Sequence, residues 1–288
     1  MANNTLSLKQ KKKDRVSRVL TYIVLIILVF MCLFPFYVLI INTTRNNYQI
    51  QQGFSFLPGK HFLINLRNLL DNDNVPILKA IRNSLFISTC AAGLTAYFSA
   101  FAAYGIHMYR FKYRKFAFYF ILVVMMVPAP VSTVGFLELI TKMDLMNTFY
   151  PLILPSIAAP VTFFFMKQYL DSVLPFEVIE SARVDGANEL YTFHKIVLPI
   201  LKPALAVQFI FAFVGSWNNF FIPALIIRSN SNKTIPLLIA GLRASDPTTF
   251  DLGVVYTLIA LAILPLLIMY LLLSRYIIKG ITLGSVKG

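Results

Sequence analysis

The residues best placed to do chemistry lie in one polar stretch, 177–203, with the sequence EVIESARVDGANELYTFHKIVLPILKP. Glu180 and Asp185 offer carboxylate acceptors, and Ala182, Ala187 and Leu190 set apolar surface between them. Apolar residues recur at Ile179, Ala182, Ala187, Leu190 and Phe193, near the helical period, so the stretch reads as two short amphipathic helices. Asp185-Gly186 is a turn signal between them. Leu198-Pro199 is expected to end the second helix, and Pro203 suits the first turn of another. An acceptor-bearing helix, turn and helix suits non-covalent docking rather than bond making. A second set is Trp217, Asn218 and Asn219. Amides hydrogen-bond polar ligand groups and an indole offers a flat apolar face, but the same groups also serve helix packing.

Covalent and metal chemistry find little support. His61, His107 and His194 stand apart, with no metal-ligand spacing. Cys32 and Cys90 fall inside apolar runs and read as small apolar residues. No GxxxxGK[ST] loop is present, and Gly59-Lys60 lacks the preceding glycine, so the chain has no usual cradle for ATP phosphates. Catalytic and metal residues are therefore expected to be none, and the chain is not expected to be an enzyme.

The elements that must position the polar stretch are membrane spans. The chain is 58% hydrophobic and 13% charged, with a mean hydropathy of +0.71, which excludes an ordinary soluble domain. Six runs without Asp, Glu, Lys or Arg, at 19–41, 83–106, 116–137, 145–166, 203–227 and 252–274, are each long enough to cross a bilayer. Backbone groups in lipid must pair within the segment, so these runs should be helices, giving an all-α polytopic membrane protein. Prolines 35, 128, 130, 151, 155, 160, 223 and 265 fall within them and should break or kink helices. The runs hold no Asp, Glu, Lys, Arg or His, which argues against an ion-coupled secondary carrier.

Seventeen of the 26 Lys and Arg residues fall on one side of this topology, which puts both termini and the polar stretch in the cytoplasm. The net charge of +14 is mostly that bias, so no nucleic-acid partner is expected. The expected organisation is a polar, flexible N-terminal segment at 1–18, one six-span domain at 19–275 and a cytoplasmic tail at 276–288. The long external loop, 42–82, carries an apolar patch at 62–70 that suits an interfacial helix.

The polar stretch resembles the EAA loop, here about 169–202, of permease subunits from bacterial ABC importers. That pattern has Glu-Ala-Ala, Gly six residues after the Glu, Ile ten later, then Leu-Pro. It is matched by Glu180-Ser181-Ala182, Gly186, Ile196 and Leu198-Pro199, with Ser181 as a small-for-small change. Asp185-Gly186-Ala187, Trp217-Asn218-Asn219-Phe220 and the tail from Lys279 to Gly288 resemble the carbohydrate, maltose-type branch.

The resemblance implies a type I ABC importer transmembrane domain with six transmembrane helices in the bacterial inner membrane. It implies a second permease as heterodimer partner, two ATPase subunits that bind ATP and Mg, an extracytoplasmic solute-binding protein, a sugar or oligosaccharide substrate and surrounding lipid. A peptide or amino acid substrate is the alternative within the family. Glu180, Ser181, Ala182, Asp185, Gly186, Ala187 and Leu190 would meet an ATPase groove, with Gly186 removing a side chain so that the two helices approach. Trp217, Asn218 and Asn219 are the substrate-path candidates. Gly241 and Leu242, near the expected tip of the external loop 228–251, would touch the binding protein.

Overall fold

A computed structural model describes residues 2–71, 76–243 and 251–284. The described residues are helical without strands, and their packing divides into two units.

The first unit joins Met1–Asp71 to Asp246–Ala260. Helix α1 (Ala2–Thr43) passes through Pro35. The N-terminal segment is thus helical and continuous with the first span. Two short helices follow, α2 (Asn47–Gln51) and α3 (Phe62–Leu70). The second coincides with the apolar patch expected to be helical. Buried Arg45 organises this end, donating to Asn42 Oδ1 at 3.2 Å, the Gly53 carbonyl at 2.9 Å and the Gln49 carbonyl. Asn65 Nδ2 donates to the Thr43 and Arg45 carbonyls, both at 2.9 Å. Gly253 packs here so closely that a Cβ would lie 2.6 Å from Asn65 Nδ2 and 2.7 Å from the Arg45 carbonyl oxygen.

The second unit, Asn72–Ser245 with Leu261–Gly288, is organised around α4 (Ile77–Met108). Buried Ala80, Ser84, Ser88, Ala92, Ala96 and Ala100 recur every fourth residue along it. Such a stripe lets neighbouring helices approach closely where lipid supplies no hydrophobic drive between them. Beyond α4 come α5 (Arg114–Met125), α6 (Ala129–Lys142), α7 (Tyr150–Ile153) and α8 (Pro160–Val173). Pro160 has no N–H for the Ser156 carbonyl, and Thr95 Oγ1 of α4 donates to it instead, at 2.9 Å. The remaining helices are α9 (Phe176–Val184), α10 (Glu189–Thr192), α11 (Leu198–Trp217), α12 (Phe221–Ile226), α13 (Ile235–Arg243) and α14 (Leu252–Gly284).

Five helical stretches among the described residues are long and apolar enough to cross a membrane: Ser17–Thr43, Ile77–Met108, Tyr150–Val173, Glu189–Trp217 and Leu252–Ser274. The count of six is not reproduced, because the run 116–137 is divided at Pro128, which is extended at ψ 129 and separates α5 from α6. The expected stop at Leu198-Pro199 is absent too. Residues Phe193–Val197 form a π-helical turn in which the Leu198 N–H donates to the Phe193 carbonyl, and the helix runs on through Pro199 and Pro203. Proline takes the first positions of a helix without losing a bond, and the wide turn supplies such a start inside a continuous rod.

Candidate functional site

The polar stretch does fold as helix, turn and helix. Its entrance is set by Leu174-Pro175: Leu174 is extended at ψ 96, α8 stops at Val173 and Pro175 precedes α9. The exit from α9 is a Schellman turn. The Ala187 N–H donates to the Ala182 carbonyl at 2.9 Å and the Gly186 N–H to the Arg183 carbonyl at 3.0 Å, with Gly186 at φ +81. A Cβ on Gly186 would meet nothing within 4 Å. The glycine is therefore required by its left-handed backbone and not, as expected from sequence, by close approach of the two helices. Asn188 Oδ1 then accepts from the Tyr191 N–H at 2.8 Å and caps α10.

Two polar clusters and a core hold this unit to the spans. Glu189, first residue of α10, accepts from Arg183 Nε of α9 at 2.8 Å and from the Tyr104 hydroxyl of α4 at 2.9 Å. The Arg183 guanidinium also lies 5.6 Å over the Tyr109 ring. Glu189 raises the Arg183 pKa, so the cation persists at every physiological pH. The Tyr109 phenol is raised by burial and then by Glu189, and stays neutral. At the base, His107 is 2.7 Å from Asp171 Oδ1 through Nδ1 and 3.1 Å from the Leu174 carbonyl oxygen through Nε2. Lys167 Nζ donates to both Asp171 oxygens, at 2.5 and 2.6 Å. The Tyr97 hydroxyl bonds His194 Nε2 at 3.0 Å, while His194 Nδ1 donates to the Leu190 carbonyl at 2.7 Å. Between these clusters Ile179, Phe193, Val197 and Leu201 join Met166, Leu170 and Leu174 in one buried core.

Of the residues expected to face a partner, Glu180, Ser181, Asp185, Gly186 and Leu190 are exposed, and Ala187 is half-buried. Ala182 is a correction: it is only 6% exposed and packs into the chain's own core, on the same face as Ile179. The exposed apolar surface comes instead from Val184, 88% exposed, Leu190, 61% exposed, and Tyr191. Val184 was missed because the residue that ends a helix escapes a periodicity test. The Glu189, Tyr104 and His107 contacts span distances in sequence that no local pattern reveals. The spacing of Tyr104 and His107, three apart on α4, was the one available hint.

Trp217 is the last residue of α11. It is 2% exposed and stacks on Phe213 at 5.8 Å and 19°. Asn219 Oδ1 accepts from the Ile222 N–H at 3.4 Å at the start of α12, and Asn218 is exposed. The structure therefore separates the three. Trp217→Ala is expected to lower the thermal stability of the protein by about 3–5 kcal/mol, with uptake per intact complex unchanged. Asn218→Ala should leave stability within about 0.5 kcal/mol of wild type. Melting curves beside uptake normalised to assembled complex test both; a Trp217→Ala protein that melts normally yet fails in uptake would restore the indole to the path.

Gly241 and Leu242 sit in the last turn of α13, not at a loop tip. Ahead of them Asn147, left-handed at φ +58, accepts through Oδ1 from the Arg228 and Ser229 N–H groups, both at 2.9 Å. Asn83 Nδ2 donates to the Ser231 and Lys233 carbonyls at 2.8 and 3.1 Å. These bonds strap the segment leading into α13 to α4 and to the turn before α7.

Comparison with known proteins was informative. A family described as binding-protein-dependent transport system inner membrane component matches residues 93–283. The chain is 36% identical over 206 residues to the arabinooligosaccharides transport system permease protein AraQ of Halalkalibacterium halodurans, covering 72% of this chain and 73% of that one. It is 30% identical over 283 residues to the protein of the same name from Bacillus subtilis, covering 98% and 100%. Its fold is similar to that in the crystal structure of a bacterial ABC transporter involved in the import of the acidic polysaccharide alginate, with a TM-score of 0.80, 20% identity and coverage of 92% and 97%.

Proposed function

We infer the function from one premise: the chain belongs to the family of binding-protein-dependent transport system inner membrane components. It is a multi-pass permease subunit of an ABC importer and not an enzyme. Its substrate is a sugar or oligosaccharide, as the names of its relatives support. It pairs with a second, different permease to enclose the path, and two ATPase subunits bind ATP and Mg. The helix–turn–helix at 176–192 seats in a groove of one ATPase subunit, offering Glu180 and Asp185 as acceptors and Val184, Leu190 and Tyr191 as apolar contact. The observation that carries this reading is the exposure of those five side chains on a unit whose opposite face is pinned to α4 and α8. Closure of the ATPases would move that unit as a body and swing the spans attached to it.

Purification through a tag on this chain in mild detergent is expected to bring a second permease and two ATPase copies. Recovery of the chain alone, with undiminished uptake after loss of ATP, would overturn the reading. Calorimetry of the co-encoded binding protein against a panel of oligosaccharides then identifies the substrate.

Both termini and the coupling unit are cytoplasmic in this reading. Single cysteines at Gln52 and Asn188, in a background without Cys32 and Cys90, should react differently with an impermeant thiol reagent in intact cells. Gln52 is expected to label from outside and Asn188 only after lysis; the opposite pattern reverses the topology.

A further inference from the structure

The elbow between α4 and α5, residues 109–116, reads Tyr-Arg-Phe-Lys-Tyr-Arg-Lys-Phe. Its aromatic residues Tyr109, Phe111, Tyr113 and Phe116 are between 39% and 68% exposed. Arg110, Lys112 and Lys115 are exposed as well. Among the described residues no carboxylate forms an ion pair with these three or with Arg114. The cations meet rings and a carbonyl instead. Arg110 lies 5.9 Å over Phe176 and Lys112 5.5 Å over Tyr113, and Arg114 donates to the His107 carbonyl at 3.2 Å.

Topology alone accounts for basic charge beside a span. It does not account for four exposed rings set between the cations. Rings at the end of a span partition into the headgroup layer, and a run of Lys and Arg there attracts anionic lipid. The local potential is raised further because Arg114 and Lys115 stand in the first turn of α5, where the helix's own field is positive. That turn has no acidic residue and no side-chain cap. Among the described residues no carboxylate pairs with these cations, whereas a phosphodiester would.

We propose that residues 109–116 bind anionic phospholipid headgroups, with the phosphate on Arg110, Lys112 and Lys115 and the rings in the interfacial layer. The elbow also touches the coupling unit, through Arg110 on Phe176 and through Arg183 on Tyr109. Bound lipid therefore steadies α9. The headgroup contact stands independently of the transport reading; its effect on coupling rests on that reading.

The test uses the intact complex purified through this chain, unaltered or carrying Arg110→Gln, Lys112→Gln and Lys115→Gln together. Each is reconstituted in phosphatidylcholine vesicles with and without phosphatidylglycerol. Retained phosphatidylglycerol per complex, measured by mass spectrometry after detergent extraction, is expected to fall at least tenfold in the triple variant. Inorganic phosphate should not displace it from the unaltered complex. Phosphatidylglycerol should raise ATPase activity of the unaltered complex and not of the variant, each compared with its own activity in phosphatidylcholine alone. Equal lipid retention by both would overturn the proposal. Loss of the ATPase subunits from the variant in either lipid would overturn it as well, and would assign the elbow to the subunit interface. Lipid retention that follows the three cations with no ATPase activity in any vesicle would support the headgroup contact and count against the transport reading.

Discussion

Gly186→Val is expected to reduce substrate-stimulated ATPase activity by tenfold or more while leaving insertion and abundance unchanged. The backbone at Gly186 is left-handed, at φ +81, and an L residue there costs about 1–2 kcal/mol, most of all when β-branched. A Cβ at this position would meet no atom within 4 Å. The strain is therefore relieved by the turn changing shape rather than by repacking. That change breaks the Ala187-to-Ala182 and Gly186-to-Arg183 bonds. It also displaces Asn188 and Glu189, whose positions set the start of α10 and the tie to Tyr104. The surface offered to the ATPase would then lose its arrangement although the spans stay folded. Gly186→Asn separates conformation from side-chain bulk, since Asn tolerates the left-handed region, and should retain most of the activity. Normal stimulated ATPase activity with Gly186→Val in reconstituted vesicles would sink the idea.

Asp171→Ala is expected to destabilise the protein by roughly 3–5 kcal/mol, because it strands a buried cation. The Lys167 and His107 side chains are 10% and 6% exposed, and both are held by this one carboxylate. His107 keeps a second bond, to the Leu174 carbonyl; Lys167 has no second carboxylate among the described ion pairs. Asp171→Leu combined with Lys167→Met removes both charges and should be milder than Asp171→Ala alone. Thermal unfolding of the purified protein measures each. If the double variant melts below the single one, the bonds themselves and not the stranded charge are the larger effect.

The all-helical membrane fold was readable because charge-free runs of 22 to 25 residues leave few alternatives, and the helix at 62–70 was readable from its own amphipathic pattern. The turn at Asp185-Gly186 was visible for the same local reason. Charge-free length alone does not register a break such as Pro128, so 116–137 was read as one span. The reverse held at Leu198-Pro199, where the π turn carries the helix through a signal that normally stops it. Ala182 was assigned outward because a two-faced helix shows which residues share a face but not which face meets a partner. The Glu189 and His107 ties depend on pairings more than 60 residues apart, which local spacing does not encode.

The π turn that replaces a stop at Leu198-Pro199 has a mechanical meaning. It makes the 29 residues Glu189–Trp217 one unbroken lever, about 43 Å long at helical rise. Its near end carries the exposed Leu190 and Tyr191, and its far end stops at the Trp217 break. A tilt of about 5° at the driven end displaces the far end by about 4 Å over that length, about the width of a side chain. A hinge at residue 198 would have absorbed such a tilt locally. If the proposed ATPase docking holds, that one wide turn of helix would set the stiffness of the drive, and its travel would emerge at Asn218 and Asn219, where the rod gives way to loop.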